Sequence, residues 1–192
     1  AVEIRDHAAH SVVYSRNGQT SSLQADHVWS TIPVTYLARC LQPAPPAEYL
    51  LAAERIGYRS MILVYLILEL DRFSEFDAHY FPGLDSPVSR LSEPKNYSRG
   101  EGPPGLTVLC AEIPCSVEDE VWQLEDEALG ELVKSVLDNA GVPLRVSPQQ
   151  VLSRRLSHAY PIYRRGYESS FSLLDEWISQ IKGLLSFGRQ GL

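Results

Sequence analysis

The chain is 192 residues long, with a formal net charge of −7, 44% apolar residues and three cysteines. That length fits one domain, or one domain plus part of another, and the acidic balance excludes a nucleic-acid backbone as partner, which requires a basic face. Cys40, Cys110 and Cys115 have no C-x-x-C spacing, so they read as buried thiols in a reducing compartment; no stretch reads as a signal peptide or membrane span, and the expected location is cytoplasmic.

Val2–Ile4 is short and extended. Ser11–Ser15 reads as a strand, and Arg16-Asn17-Gly18-Gln19 as a hairpin turn, because Asn-Gly accepts the positive φ that such turns need. Thr20–Leu23 returns, and Ala25–Pro33 is a further strand closed by Pro33. Val34–Leu41 is a short helix ended by Pro43, Pro45 and Pro46, and Ala47–Arg55 is a second helical stretch.

The run from Met61 to Leu70 is the centre of the pattern. It is bounded by Gly57 and Asp71-Arg72, and both of its alternating faces are apolar. That predicts a central strand covered by a layer on each side. Short strands follow at His79–Pro82 and Val88–Ser92, then a loop over Tyr97–Pro104 and a strand over Leu106–Ile113.

Val117–Asn139 is predicted as a long helix. Ser116 would be its N-cap, with Asp119 at the capping-box position, and Val121, Leu124, Ala128, Leu132 and Val136 its core stripe beside Leu129 and Val133. Gly141 and Pro143 stop it. Val151–His158 is a strand, Gly166–Lys182 a second long helix, and Leu184–Phe187 a last strand. The fold class is α+β, a mixed β-sheet flanked by helices.

Motifs for common chemistries fail on context. Gly100-Glu-Gly-Pro-Pro-Gly105 matches G-x-G-x-x-G by letter, but it precedes a strand rather than opening a helix, and it places Glu101 where phosphate would sit. His7, His10, His27, His79 and His158 have no metal-ligand spacing, so no metal is expected. Asn96-Tyr97-Ser98 is a formal glycosylation sequon with no meaning in a cytosolic chain. The acids of Glu118–Glu127 read as a solvated face, and no nucleophile elbow is present.

Four stretches, in this order, resemble one enzyme group. Val2-Glu-Ile4, then a ribbon and Ala25-Asp-His-Val-Trp-Ser-Thr-Ile-Pro33, form the first. Arg90-Leu-Ser-Glu-Pro-Lys-Asn-Tyr-Ser98 is the second. Ala159-Tyr-Pro-Ile-Tyr-Arg-Arg-Gly-Tyr167 is the third, read as a loop before the last helix. Leu184-Leu-Ser-Phe-Gly-Arg-Gln-Gly191 is the fourth. Together they resemble the flavin-containing amine oxidase and protoporphyrinogen oxidase superfamily and its relative, UDP-galactopyranose mutase.

The resemblance implies a two-domain FAD-dependent enzyme. Residues 1–33 would be a ribbon and strand of the FAD domain, 34–183 the substrate-binding domain, and 184–192 a strand returning to the FAD domain. Val2, Thr31, Pro33, Gly188 and Arg189 would touch the cofactor. Arg90, Tyr160 and Tyr163 would face a small-molecule substrate, and the resemblance assigns no catalytic residue. Ala1 in place of Met, and a chain that stops just after the strand Leu184–Phe187, give the expectation of a fragment. The missing FAD-binding half of the same polypeptide would then be its partner, and the fragment alone would not hold FAD tightly. Three functions remain open: the substrate-binding portion of an FAD-dependent oxidoreductase, a flavin-dependent nucleotide-sugar mutase, and a stand-alone binding module without cofactor.

Overall fold

The computed structural model describes residues 1–97, 102–189 and 191. Gly100 and Glu101 of the glycine-rich loop, Ser98 of the sequon and Gln190 of the fourth stretch lie outside the described residues. The chain forms two compact units: residues 1–58 with 160–192, and residues 59–159.

The first unit opens with strands β1 (Val2–Arg5), β2 (Ala8–Arg16) and β3 (Gln19–Gln24). β2 and β3 pair antiparallel around Asn17 and Gly18, whose φ angles of 52° and 76° are those of the expected hairpin turn. β1 pairs with β2 on one side and, in parallel, with β5 (Leu41–Gln42) on the other, giving the order β3-β2-β1-β5. A separate parallel pair joins β4 (Val28–Ser30) to β11 (Leu184–Ser186).

Helices α1 (Val34–Cys40), α2 (Ala47–Glu54) and α4 (Tyr167–Ile178) supply the core of this unit. Pro33 and Pro46 precede α1 and α2, where a missing N–H leaves no helix bond unmade. Leu37, Ala38, Leu41, Ala52 and Ala53 are buried with Leu174 and Ile178 of α4. The alanines let α2 approach closely, and the leucines fill the remaining space.

The second unit is built on a five-stranded sheet in the order β10-β6-β9-β8-β7. Its strands are β6 (Gly57–Leu68), β7 (Ala78–Tyr80), β8 (Arg90–Ser92), β9 (Thr107–Cys115) and β10 (Gln150–Ile162). β6 is interior, as its apolar run predicts, and pairs antiparallel with β9 from Ser60↔Cys115 to Leu68↔Thr107. It ends at Leu68 rather than Leu70.

The two faces of β6 differ. Ile62, Val64, Leu66 and Leu68 are fully buried with Leu109, Ala111, Ile113 and Leu129, Val133 and Leu137 of helix α3 (Asp126–Asn139). Leu63, Tyr65 and Ile67 on the opposite face are only half-buried. The expected layer on each side is therefore one layer within this unit, because α3 covers a single face. Alternation of two apolar sets says that both faces are dry enough for apolar residues; it does not say what covers each.

The helix predicted from Val117 begins only at Asp126. The Ser116 and Asp119 pairing is real, with the Ser116 N–H donating to Asp119 Oδ2 at 2.7 Å, but it closes a turn rather than a helix. A 3₁₀ turn over Glu120–Gln123 follows, and Leu124 is extended with ψ 138°. Arg155 explains why this segment stays out of the helix: its guanidinium donates to the carbonyls of Trp122 (2.7 Å) and Leu124. Those acceptors would otherwise belong to the helical ladder. The buried stripe is accordingly Leu129, Val133 and Leu137, with Leu132 and Val136 at its margin and Ala128 exposed.

Gly130 lies on that buried stripe. A Cβ there would stand 2.9 Å from Val151 Cγ2 and 3.3 Å from Val151 Cγ1. Glycine to alanine inside a helix ordinarily gains about 1 kcal/mol. For Gly130→Ala the crowding of Val151 is expected to cancel that gain or turn it into a loss of about 1 kcal/mol. Urea unfolding of the variant beside the wild type reads the sign directly.

Candidate functional site

Two groups of side chains stand out, one in each unit. In the first unit, β4 and β11 run parallel, with Leu184↔Val28 and Ser186↔Ser30 in register. The Phe187 N–H donates to Ser30 O at 3.0 Å. The turns that leave these strands, Thr31-Ile32-Pro33 and Phe187-Gly188-Arg189, therefore emerge side by side at the carboxyl ends of parallel strands. In α/β architectures that is where ligands bind. Gly188 has φ 88°, a conformation that disfavours any other residue, and nothing lies within 4 Å of where its Cβ would be. The Arg189 guanidinium lies over the Tyr160 ring, 4.7 Å from its centroid, within range of a cation–π contact.

Four of the residues expected near cofactor, Thr31, Pro33, Gly188 and Arg189, thus sit on these two turns, with Tyr160 against one of them. Tyr160 itself stands on β10, which runs to Ile162, so the loop expected from Ala159 begins only at Tyr163. Tyr163 is exposed and tilts against Tyr167, with ring centroids 4.9 Å apart. Tyr58 lies near by: burial pushes its hydroxyl pKa up, a hydrogen bond with Thr35 opposes the shift, and Tyr163 adds to it. Val2 stands apart on β1. Its side chain is buried, and it pairs with Val12 and Leu41 in the other sheet of the unit.

In the second unit the sheet face opposite α3 carries the polar residues. Strand register aligns Leu63, Glu112, Arg90 and Tyr80 in one row, and Tyr65, Cys110, Ser92 and Ala78 in the next. Arg90 donates to Glu112 Oε1 through Nε at 3.1 Å and through Nη2. This pair holds Arg90 firmly charged, Glu112 contributing most and the Tyr80 hydroxyl next. The two side chains are 35% and 13% exposed, so the pair lies at the face rather than beneath it.

Cys110 is buried, and desolvation raises its thiol pKa, with Glu112 adding to the shift and the Tyr65 hydrogen bond opposing it. Tyr65 is raised in the same way, first by desolvation and then by Cys110. At neutral pH this row is a neutral phenol and thiol beside an ion pair. It offers hydrogen bonds and a fixed cation rather than a nucleophile.

The Arg90–Ser98 stretch has a second, structural content. Leu91 points into the core, and the Ser92 hydroxyl donates to Cys110 O at 3.3 Å. The buried Glu93 carboxylate accepts from the Phe73 N–H (2.9 Å), the Ser74 N–H (3.1 Å), the Thr107 hydroxyl (2.6 Å) and Asn96 Nδ2 (3.1 Å). Lys95 donates to the carbonyls of Pro103 and Leu106 at 3.1 and 3.0 Å. Among the described residues of this stretch Arg90 presents its charge on the open side, Ser92 on the same face is buried, and the residues after it hold the strand and its flanking loops in place.

Among the described residues no group of histidine, cysteine and carboxylate side chains could hold a metal, and no helix is long and apolar enough to cross a membrane.

No family model matches the sequence, and no curated protein matches it. Solved structures do. Reduced UDP-galactopyranose mutase superposes on 100% of this chain with a TM-score of 0.74 at 18% identity. Cyclohexylamine oxidase from Brevibacterium oxydans IH-35A matches 90% of it with 0.59 at 16%, and a protein described as protoporphyrinogen oxidase from Exiguobacterium sp. 255-15 matches 90% with 0.58 at 20%. The chain shares the α+β fold of the corresponding part of these proteins. It spans 40%, 38% and 39% of the length of these three chains, respectively.

The strand pairs and sheet faces described above give that fold its content. For FAD the fit is partial. The Thr31 and Gly188-Arg189 turns offer an open ledge with a cation beside it. Among the described residues no α-helix starts from a loop with several glycines directly after a strand: Pro33, Pro46 and Glu125 precede three of them, and the single Gly166, after Arg164-Arg165, precedes α4. The described residues supply no pyrophosphate cradle.

Proposed function

We propose that the chain is the substrate-binding portion of an FAD-dependent oxidoreductase of the amine oxidase and protoporphyrinogen oxidase type, together with two of the turns that meet the flavin. The observation that carries this is the convergence of the Thr31-Ile32-Pro33 and Phe187-Gly188-Arg189 turns at the ends of paired parallel strands. In this reading Thr31, Pro33, Gly188 and Arg189 line the ring system, and Val2 meets the cofactor's nucleotide end through its backbone. Arg189 places a cation where a reduced flavin carries negative charge, and Tyr160 holds that cation in position. Bound FAD supplies the hydride acceptor. Arg90, fixed by Glu112, and Tyr160 and Tyr163 contact a small-molecule substrate. The FAD-binding half of the same polypeptide is the partner that completes the site.

The match of the whole chain to UDP-galactopyranose mutase, with the higher TM-score, favours a second reading. There the substrate is a nucleotide sugar, whose diphosphate suits the fork of donors that an arginine carries, and no net oxidation occurs. Turnover of the full-length protein with UDP-galactopyranose, set against amine and porphyrinogen substrates, separates the two. Oxidation of an amine or a porphyrinogen supports the first reading, and interconversion of the sugar ring without net oxidation supports the second. A binding module without cofactor is the third outcome, seen as no turnover and no flavin in the full-length protein.

A further inference from the structure

β3 is an edge strand with none of the features that keep natural edges unpaired. All of its residues, Gln19–Gln24, are exposed. It contains no charge, no proline and no bulge, and its pairing with β2 is continuous from Arg16↔Gln19 to Ser11↔Gln24. Exposed edges are ordinarily blunted by one of these features, because a free row of N–H and C=O groups recruits another strand.

The parity of the strand is fixed. Ala25 N–H donates to His10 O at 3.1 Å, so Ala25 bonds inward to β2, and with it Leu23, Ser21 and Gln19. Thr20, Ser22 and Gln24 consequently turn their N–H and C=O groups to the open edge.

We infer that this edge is a self-association surface, at which β3 pairs antiparallel with β3 of a second copy of this chain about a two-fold axis at Ser22. In this register Thr20 bonds the partner's Gln24 and Ser22 bonds the partner's Ser22, so every outward group of the strand is used. Opposite residues share a face, which sets Leu23 against the partner's Ser21, with the partner's Tyr14 one strand further along the same row. Leu23 is 61% exposed in the single chain, and the partner strand lies directly beside it. Charge selects a second copy over an unrelated strand. The exposed Arg16 flanks one end of β3, the exposed Asp26 lies just beyond the other, and antiparallel pairing brings Arg16 of one copy to the end that carries the partner's Asp26. The contact is small, which places it among weak, concentration-dependent dimers.

The test is sedimentation of the full-length protein across a micromolar-to-millimolar concentration series. The expected wild-type result is a rise from the mass of one chain to that of two. Ser22→Pro removes an outward N–H without touching the bonds to β2, and is expected to weaken association by about tenfold or more. Thr20→Lys should do the same through charge at the edge, and it covers the case in which the proline disturbs the hairpin. Asp26→Arg should weaken the dimer, and the double variant Arg16→Asp/Asp26→Arg should restore it. Circular dichroism of each variant checks that the fold is kept. A wild type that stays at the mass of one chain throughout overturns the inference, as does a dimer unaffected by both Ser22→Pro and Thr20→Lys.

Discussion

Glu93→Ala is expected to destabilise the protein by about 4 kcal/mol, the sum of lost charge-assisted bonds and donors left without an acceptor. Four donors converge on this one carboxylate: two backbone N–H groups, a hydroxyl and an amide. The Phe73 N–H and the Thr107 hydroxyl are buried, so water cannot replace the lost acceptor for either. The Asn96 amide keeps its bonds to Ser74 O and Phe76 O, so its share of the loss is smaller. Glu93→Gln retains one acceptor oxygen but turns an NH₂ toward donors, and about half of the effect is expected to remain. Chemical denaturation of the three proteins gives the ranking wild type, Glu93→Gln, Glu93→Ala. A loss below about 1 kcal/mol for the alanine variant would mean that the loop at Phe73 and Ser74 holds its place without the carboxylate.

The second large effect is on turnover. Arg90→Ala in the full-length protein is expected to lower kcat/KM by about 100- to 1,000-fold, or about 3 to 4 kcal/mol of transition-state binding. Glu112 and Tyr80 hold the guanidinium at a set height above the sheet, so its remaining donors are aimed before any ligand arrives. Arg90→Lys keeps the charge and loses the fork, and it should recover little of the activity. Glu112→Gln keeps the shape and weakens the pair, and its effect should appear mainly in KM, since a less restrained arginine still reaches its ligand. A variant without Arg90 that turns over at the wild-type rate would remove this residue from the substrate site.

Much of the fold is written locally. The Asn17-Gly18 turn and the apolar run of β6 each act within a few residues, and each is read as turn and strand from neighbours alone. The start of α3 is not local. Ser116 and Asp119 look like a helix start, and their hydrogen bond forms, but Arg155, distant in sequence, takes the carbonyls of Trp122 and Leu124. The same limit governs the site. Arg90 is found through the stretch in which it stands, whereas its partner Glu112 is 22 residues away and becomes visible only through the register of β8 on β9. Tyr65 and Cys110 become neighbours through the register of β6 on β9. No periodicity in the sequence marks either residue as different from a core position. The pairing of β4 with β11, which brings Thr31 and Gly188 together, joins opposite ends of the chain and is invisible without the sheet.

The claim that these turns belong beside a flavin is tested most directly by one titration. FAD is added to the full-length protein and to the 192-residue chain side by side, and flavin absorbance and bound stoichiometry are followed. The account predicts a full-length protein that is yellow as purified, or that takes up one equivalent of FAD. It predicts a chain that stays colourless and binds FAD weakly, because the ledge at Thr31 and Gly188-Arg189 lacks a helix N-terminus for the pyrophosphate. A colourless full-length protein that refuses added FAD would contradict the account. So would tight, stoichiometric FAD on the 192-residue chain, which would place the cofactor on residues other than these.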